Sequence, residues 1–310
     1  MSESAGSPAA LETDTIWPIR TFLFVPGNRP EWIAKAIAAG PDAIILDLED
    51  SVAPSEKREA RSQMVRAVEA LRSERIHAFV KINGLSEGGE EDLRACIAPA
   101  LRGIVVPKAT ADHVRRIHDV LSYGEGRAGL EHGEISIVAL PETAEGLRFA
   151  YETARASARV KSLLGGVGPI QGDIAAAAGF RATVEGTEQQ YLQSKLVLDS
   201  RAAGALYPIA GVFATRIDDL AMIEIMIRRA KIIGFAGVHV IHPTHVSIAN
   251  SIMRPSADEV EYAHALLAAI EEGHRQGRGA VRFRGMMIDR AMVASAKLII
   301  TESRRYSGTS

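Results

Sequence analysis

"IIGFAGVHVIHPTHVSIAN" occupies residues 232–250. A glycine-containing turn leads into a short apolar run, which stops at His242-Pro243. A run this apolar, without polar alternation, reads as a parallel strand buried on both faces. Proline cannot donate to a ladder, so Pro243 marks where pairing ends. That reading sets His242 at the strand's C-terminal end.

Upstream, the same pattern recurs seven times: "TFLFVP" (21–26), "AIILDLE" (43–49), "HAFVKI" (77–82), "GIVVPK" (103–108), "SIVALPE" (136–142), "VKSLLGGV" (160–167) and "LYPIAGVF" (206–213). Helix-like stretches lie between them. In "IDDLAMIEIMIRRAKIIG", for example, apolar residues recur at three- and four-residue spacing. Eight buried strands alternating with helices predict a closed (β/α)8 TIM-type barrel. A doubly wound open sheet fits less well: "VPGNRPEW" after the first run is not the Gly-rich phosphate loop of that fold.

Composition narrows the function class. The chain has 310 residues, 47% hydrophobic and 24% charged, with a formal net charge of −2. No basic stripe suggests nucleic acid, and no apolar run is long enough for a bilayer. The expected partners are therefore small molecules, with no nucleic acid and no membrane. Cys96 is the single cysteine, so no intrachain disulfide or Cys-rich metal site forms. Residues 1–19 are small, polar and acidic, without the basic start and apolar centre of a signal peptide. They read as a flexible tail, and cytoplasmic residence is the expectation. A barrel over 20–254 and an extension over 255–310 complete the expected organisation. Pro255 breaks the chain before a helix capped by Ser256 and Asp258.

Barrel enzymes place their chemistry at the C-terminal ends of the strands. Those ends carry Asp47, Glu49 and Asp50, then Lys81 and Asn83, Lys108, Glu142, Asp173 and His242. Glu142 and Asp173 are oxygen donors from consecutive strand ends, a donor set suited to Mg²⁺ with water and substrate filling the octahedron. The competing reading makes Glu142 a first-turn acid of the helix that follows.

The stretch "RTFLFVPGNRPEWIAKAIAAGPDAIILDLEDSVAPSEKREAR", followed by "VKING", "GIVVPK", "LPETAEGL", "GDIAAAAGF", "GFAGVHVIHPTHVSIAN" and "GMMIDRAMVASAKLI", resembles the citrate lyase β-subunit-like family of HpcH/HpaI-type aldolases. That family includes malyl-CoA and citramalyl-CoA lyases, and the likeness runs over about residues 20–300. It implies a (β/α)8 barrel with a C-terminal helical extension, assembled as a homotrimer or hexamer. It also implies Mg²⁺-dependent carbon–carbon cleavage or formation between an acyl thioester, usually of CoA, and a 2-oxo acid. By that resemblance Glu142 and Asp173 hold the metal. Asp289 of "MID" is the catalytic acid–base that handles the acyl methyl proton from a neighbouring subunit. Lys81 stands where the family has an arginine, as catalytic and substrate-anchoring residue, and Lys35 and His242 are further substrate-binding candidates. Without the resemblance, Asp289 is an ordinary capping residue at a helix start.

The chain also departs from the family pattern. Val80-Lys81-Ile82-Asn83 replaces V-R-I-N, exchanging a bidentate fork for a point charge. Val238 and Met286 stand where lysines are usual, His245 replaces a glutamine, Gln193 an arginine and Ala177 an acid. These losses suggest a divergent branch. Two alternatives stay open: a Schiff-base or metal-dependent aldolase on non-CoA 2-oxo acids, using Lys81 or Lys108, and a non-catalytic metabolite-binding paralogue.

Overall fold

The computed structural model describes residues 16–167 and 172–307. Eight parallel strands close into a barrel: β1 (Thr21–Pro26), β2 (Ala43–Asp47), β3 (His77–Lys81), β4 (Leu101–Val106), β5 (Ser136–Ala139), β6 (Val160–Val167), β7 (Ile209–Val212) and β8 (Gly237–Val240). Each pairs with its neighbour in sequence, and the ring is sealed where Thr21, Phe22 and Leu23 of β1 meet Val238, His239 and Val240 of β8. The (β/α)8 expectation is met. The near-continuous apolar runs are explained as anticipated: every residue of β2, β5, β7 and β8 is buried.

Two features of the strands differ from the sequence reading. β8 ends at Val240, so His242 lies beyond the strand. It caps a short 3-10 turn, Pro243–His245, with its side chain accepting from the Thr244 N–H. In addition, residues 16–19 are not a flexible tail. Trp17 is only 2% exposed and Ile19 only 1%. They join Phe22, Ile45, Phe79, Val105, Val138 and Ile209 in one core cluster. Trp17 stacks on Tyr207 at 5.5 Å and meets the Phe79 ring edge-on at 5.9 Å. Aromatic rings carry the largest apolar area per residue, which is why this short segment is held rather than loose. The polar composition of the preceding stretch concealed this. Residues 1–15 of the expected tail lie outside the described residues.

The chain divides into two compact units, Met1–Asn250 and Ser251–Ser310. The second holds the helices Ala257–Arg275 and Val293–Ser307. Ser256 and Glu259 form a full capping box on the first of these. The expected helical extension also carries a hairpin, β9 (Ala280–Phe283) with β10 (Met286–Asp289). Arg284 and Gly285 connect these strands with φ of 44° and 85°. Positive φ at both central positions suits the twist of a two-residue hairpin, and glycine adopts it without strain. Among the described residues, no helix is long and apolar enough to cross a membrane.

Candidate active site

At the C-terminal end of the barrel lies a cavity of ≈ 320 Å³. Its walls are mostly apolar, including Phe24, Leu140, Leu164 and Phe213, and its polar groups are Lys81, Glu142, Asp173, Gln189 and His239. Three residues expected from strand ends, Lys81, Glu142 and Asp173, therefore meet in one cavity.

Lys81 is the last residue of β3, and its ammonium is paired with the Glu49 carboxylate, both nearly buried. Glu49 is held in place by its own loop. Asp47 accepts hydrogen bonds from the Glu49 N–H at 2.9 Å and the Ser51 N–H at 3.3 Å. Lys57, at the start of the helix Lys57–Ser73, donates to the Leu48 and Glu49 carbonyls at 3.0 Å each. Lys57 also donates to Asn83, which donates to Leu48 O at 2.8 Å and to the buried Asp92 at 2.6 Å. A basic helix start thus ties down the acidic loop after β2. Sequence reading placed these acids at a strand end without their roles.

Burial works against the Lys81 charge, but the neighbouring Asp47, Glu49 and Glu142 carboxylates outweigh it and hold the ammonium above its ordinary range. A protonated lysine is a poor nucleophile, so this environment opposes the Schiff-base use of Lys81. Lys108, the other lysine considered, is exposed and does not line the cavity. It has a left-handed backbone, φ 46°, and its N–H donates to Glu142 Oε1 at 3.2 Å.

Glu142 follows β5. The helix Ala144–Arg148 is capped by the next residue, Thr143, whose hydroxyl accepts from the Gly146 N–H at 2.9 Å. That leaves the Glu142 carboxylate facing the cavity. Burial, partly opposed by Lys81, pushes its pKa up to about 7. Asp173 opens the helix Asp173–Ala178 and adds to the negative charge felt by Glu142. Among the described residues, no group of three or more His, Cys, Asp or Glu side chains is placed to hold a metal. Two hard carboxylate donors at a cavity do fit a Mg²⁺ whose remaining ligands are water and substrate oxygens.

The raised Glu142 pKa has a testable sign. A folded value of about 7 against 4.5 for the free group means the folded state holds this proton more tightly. The stability from that proton is fully present below about 4.5 and is lost as pH rises through 7. The metal-free Glu142→Gln protein should therefore melt above wild type at pH 8. The gap should close towards pH 5, and saturating Mg²⁺ should stabilise only wild type. Melting curves at the two pH values check this. A variant that melts below wild type at pH 8 contradicts it.

The other sequence candidates stand on other elements. His242 does not line the cavity: its Nδ1 pairs with the Thr244 hydroxyl at 2.8 Å. Lys35 is exposed on the helix Ile33–Ala38 and does not line the cavity. Asp289 ends β10 in the C-terminal unit, where Oδ1 accepts from the Ala291 N–H at 2.9 Å. His239 was missed. It sits inside the apolar run of β8, and the histidine at the end of that run drew the attention instead. Strand period could have found it: 239 is the β8 position paired with the inward-facing Phe22.

A model of the HpcH/HpaI aldolase/citrate lyase family matches residues 20–243. The chain belongs to that family. It is an enzyme, a citrate lyase β-subunit-like carbon–carbon lyase. Among its relatives, the L-malyl-CoA/beta-methylmalyl-CoA lyase of Cereibacter sphaeroides is 30% identical, over 94% of this chain and 96% of that protein. The mitochondrial citramalyl-CoA lyase of Homo sapiens is 29% identical, over 92% of this chain and 85% of that one. Among family structures, CitE from Mycobacterium tuberculosis, in complex with magnesium, acetoacetate and coenzyme A, superposes with a TM-score of 0.71. It is 28% identical and covers 93% of this chain and 99% of its own.

Proposed function

We propose that the protein is a Mg²⁺-dependent lyase that cleaves or forms a 3-hydroxyacyl thioester from an acyl thioester, probed first as CoA, and a 2-oxo acid. The observation that carries this reading is the convergence of Lys81, Glu142 and Asp173 on one cavity at the barrel's C-terminal end. The magnesium and coenzyme A bound by the Mycobacterium tuberculosis relative support it.

Glu142 and Asp173 would hold the cation. When bound, it would supply Lewis-acid polarisation of the 2-oxo acid's keto oxygen. Lys81 anchors the substrate carboxylate, kept in place by its pairing with Glu49. The apolar walls exclude water, which strengthens each of these interactions. In the forming direction, the acyl methyl group loses a proton to Asp289. Its carbon then bonds to the keto carbon, whose oxygen becomes the 3-hydroxyl after taking up a proton.

In this reading Asp289 is supplied by another copy of the chain within a homotrimer or hexamer, and the protein works in the cytoplasm. Mixing Asp289→Ala with Glu142→Gln protein, after dissociation and reassembly, should then restore part of the activity. Mixed oligomers confirmed to have exchanged subunits, yet showing no rescue, would rule the shared site out. The function itself is tested by screening acyl-CoA thioesters against 2-oxo acids, with Mg²⁺ and with EDTA. Turnover of at least one pair, lost in EDTA and recovered on adding Mg²⁺, is the expected result. Turnover indifferent to EDTA overturns the metal-dependent reading.

A further inference from the structure

His239 is 4% exposed, yet it lines the cavity. Its ring is held between Phe24, at 4.7 Å, and Phe213, at 4.9 Å. Gly211 of the adjacent strand makes room for it: a Cβ there would stand 2.5 Å from His239 Nε2. The register therefore combines a small residue on β7 with a ring on β8. Nδ1 is buried without a hydrogen-bond partner among the described residues. A buried polar atom left unpaired typically costs about 1–3 kcal/mol. The ring thus lines the cavity with one nitrogen that no described residue satisfies, which leaves that nitrogen for a group brought in by a ligand.

We propose that His239 determines specificity by hydrogen-bonding an uncharged hydroxyl or carbonyl group on the side chain of the 2-oxo acid. This rests on the reading of the cavity as a 2-oxo acid site. Burial, with Lys81 nearby, holds the imidazole pKa down to about 3, so the ring is neutral. A neutral imidazole offers one donor and one acceptor, which a hydroxyl matches. It has no charge to balance a second carboxylate, and the Lys81 ammonium is assigned to the first. The position points to the 2-oxo acid because the Lys81 ammonium lies 6.0 Å from the centre of the Phe24 ring, the same ring that packs against His239. The side chain next to an anchored carboxylate would reach this floor.

The test is calorimetric binding, in the presence of Mg²⁺, of hydroxypyruvate, 2-oxobutyrate and oxaloacetate. The first two have nearly the same shape and differ in CH₂OH against CH₂CH₃. Wild type should favour hydroxypyruvate over 2-oxobutyrate by about tenfold or more, because a site built to bond a hydroxyl rejects the analogue without it. His239→Phe should abolish or invert that ratio, and His239→Asn, which keeps a polar group, should retain part of it. A wild-type ratio near one overturns the proposal. So does an unchanged ratio in a folded His239→Phe protein, or in His239→Ala if the Phe variant does not fold. A wild-type preference for oxaloacetate that disappears in the variants overturns the uncharged assignment. If the acids bind but no thioester pair turns over, the lyase reading fails while the ratio still decides on His239. If none of the three binds, both readings fall.

Discussion

Glu142→Gln and Asp173→Asn are each expected to lower kcat/KM of the Mg²⁺-supported reaction by more than about 10²-fold. Even partners one step removed from a metal typically change affinity or activity by roughly 10–100-fold, so a direct ligand should cost at least that. The loss should appear first as a raised Mg²⁺ requirement, because each substitution removes one of two carboxylates at the cavity. Misfolding is not expected to be the cause for Glu142. Its hydrogen bond from the Lys108 N–H can be kept by a glutamine oxygen, and removing the buried charge relieves the metal-free protein. Steady-state rates across a Mg²⁺ titration decide the matter. Either variant at full activity with the wild-type Mg²⁺ requirement refutes the assignment.

Lys81→Ala is expected to reduce kcat/KM by about 10²-fold or more, consistent with the roughly 2–5 kcal/mol typical for truncating one partner of a buried charge pair. It should also destabilise the protein, since Glu49 would remain as an unpaired buried carboxylate. The double variant Lys81→Ala with Glu49→Gln separates the two effects. It should recover much of the lost stability and little of the lost activity. Lys81→Arg should keep activity or change substrate preference, because arginine retains the charge and adds a planar fork. Equal kcat/KM for wild type and the alanine variant would show that Lys81 serves the fold alone.

The barrel was legible because burial on both faces leaves a signature that needs no alignment: eight short apolar runs alternating with helix-like stretches. Lys81, Glu142 and Asp173 were legible for the same reason, since a polar group at the end of an apolar run is conspicuous. His239 was not, because the feature that places it in the cavity is the inward direction of one β8 position. That direction depends on register, and a strand end misjudged by two residues transfers attention to His242. The partnership of Lys81 with Glu49 was hidden because the two residues meet only across adjacent strands. The hairpin of β9 and β10 escaped because "GMMID" ahead of a helix resembles a helix start, while its turn depends on Arg284 adopting a positive φ. Trp17 escaped because composition averaged over a segment conceals one large aromatic at its end.

The seal between β1 and β8 also has a consequence for biosynthesis. Thr21 leaves the ribosome long before its partner Val238. At about 5–20 residues per second, that interval is roughly 10–40 s. Throughout it, one edge of β1 has no partner, and unpaired edges are templates for pairing with other chains. β2 can cover the other edge early, since Phe22 to Pro26 pair with Ala43 to Asp47. The nascent chain therefore carries an open, lengthening sheet whose final cost of closure falls due only at its last strand. Shielding that first edge until β8 arrives, by chaperone or by low concentration, is therefore expected to raise the yield of folded protein.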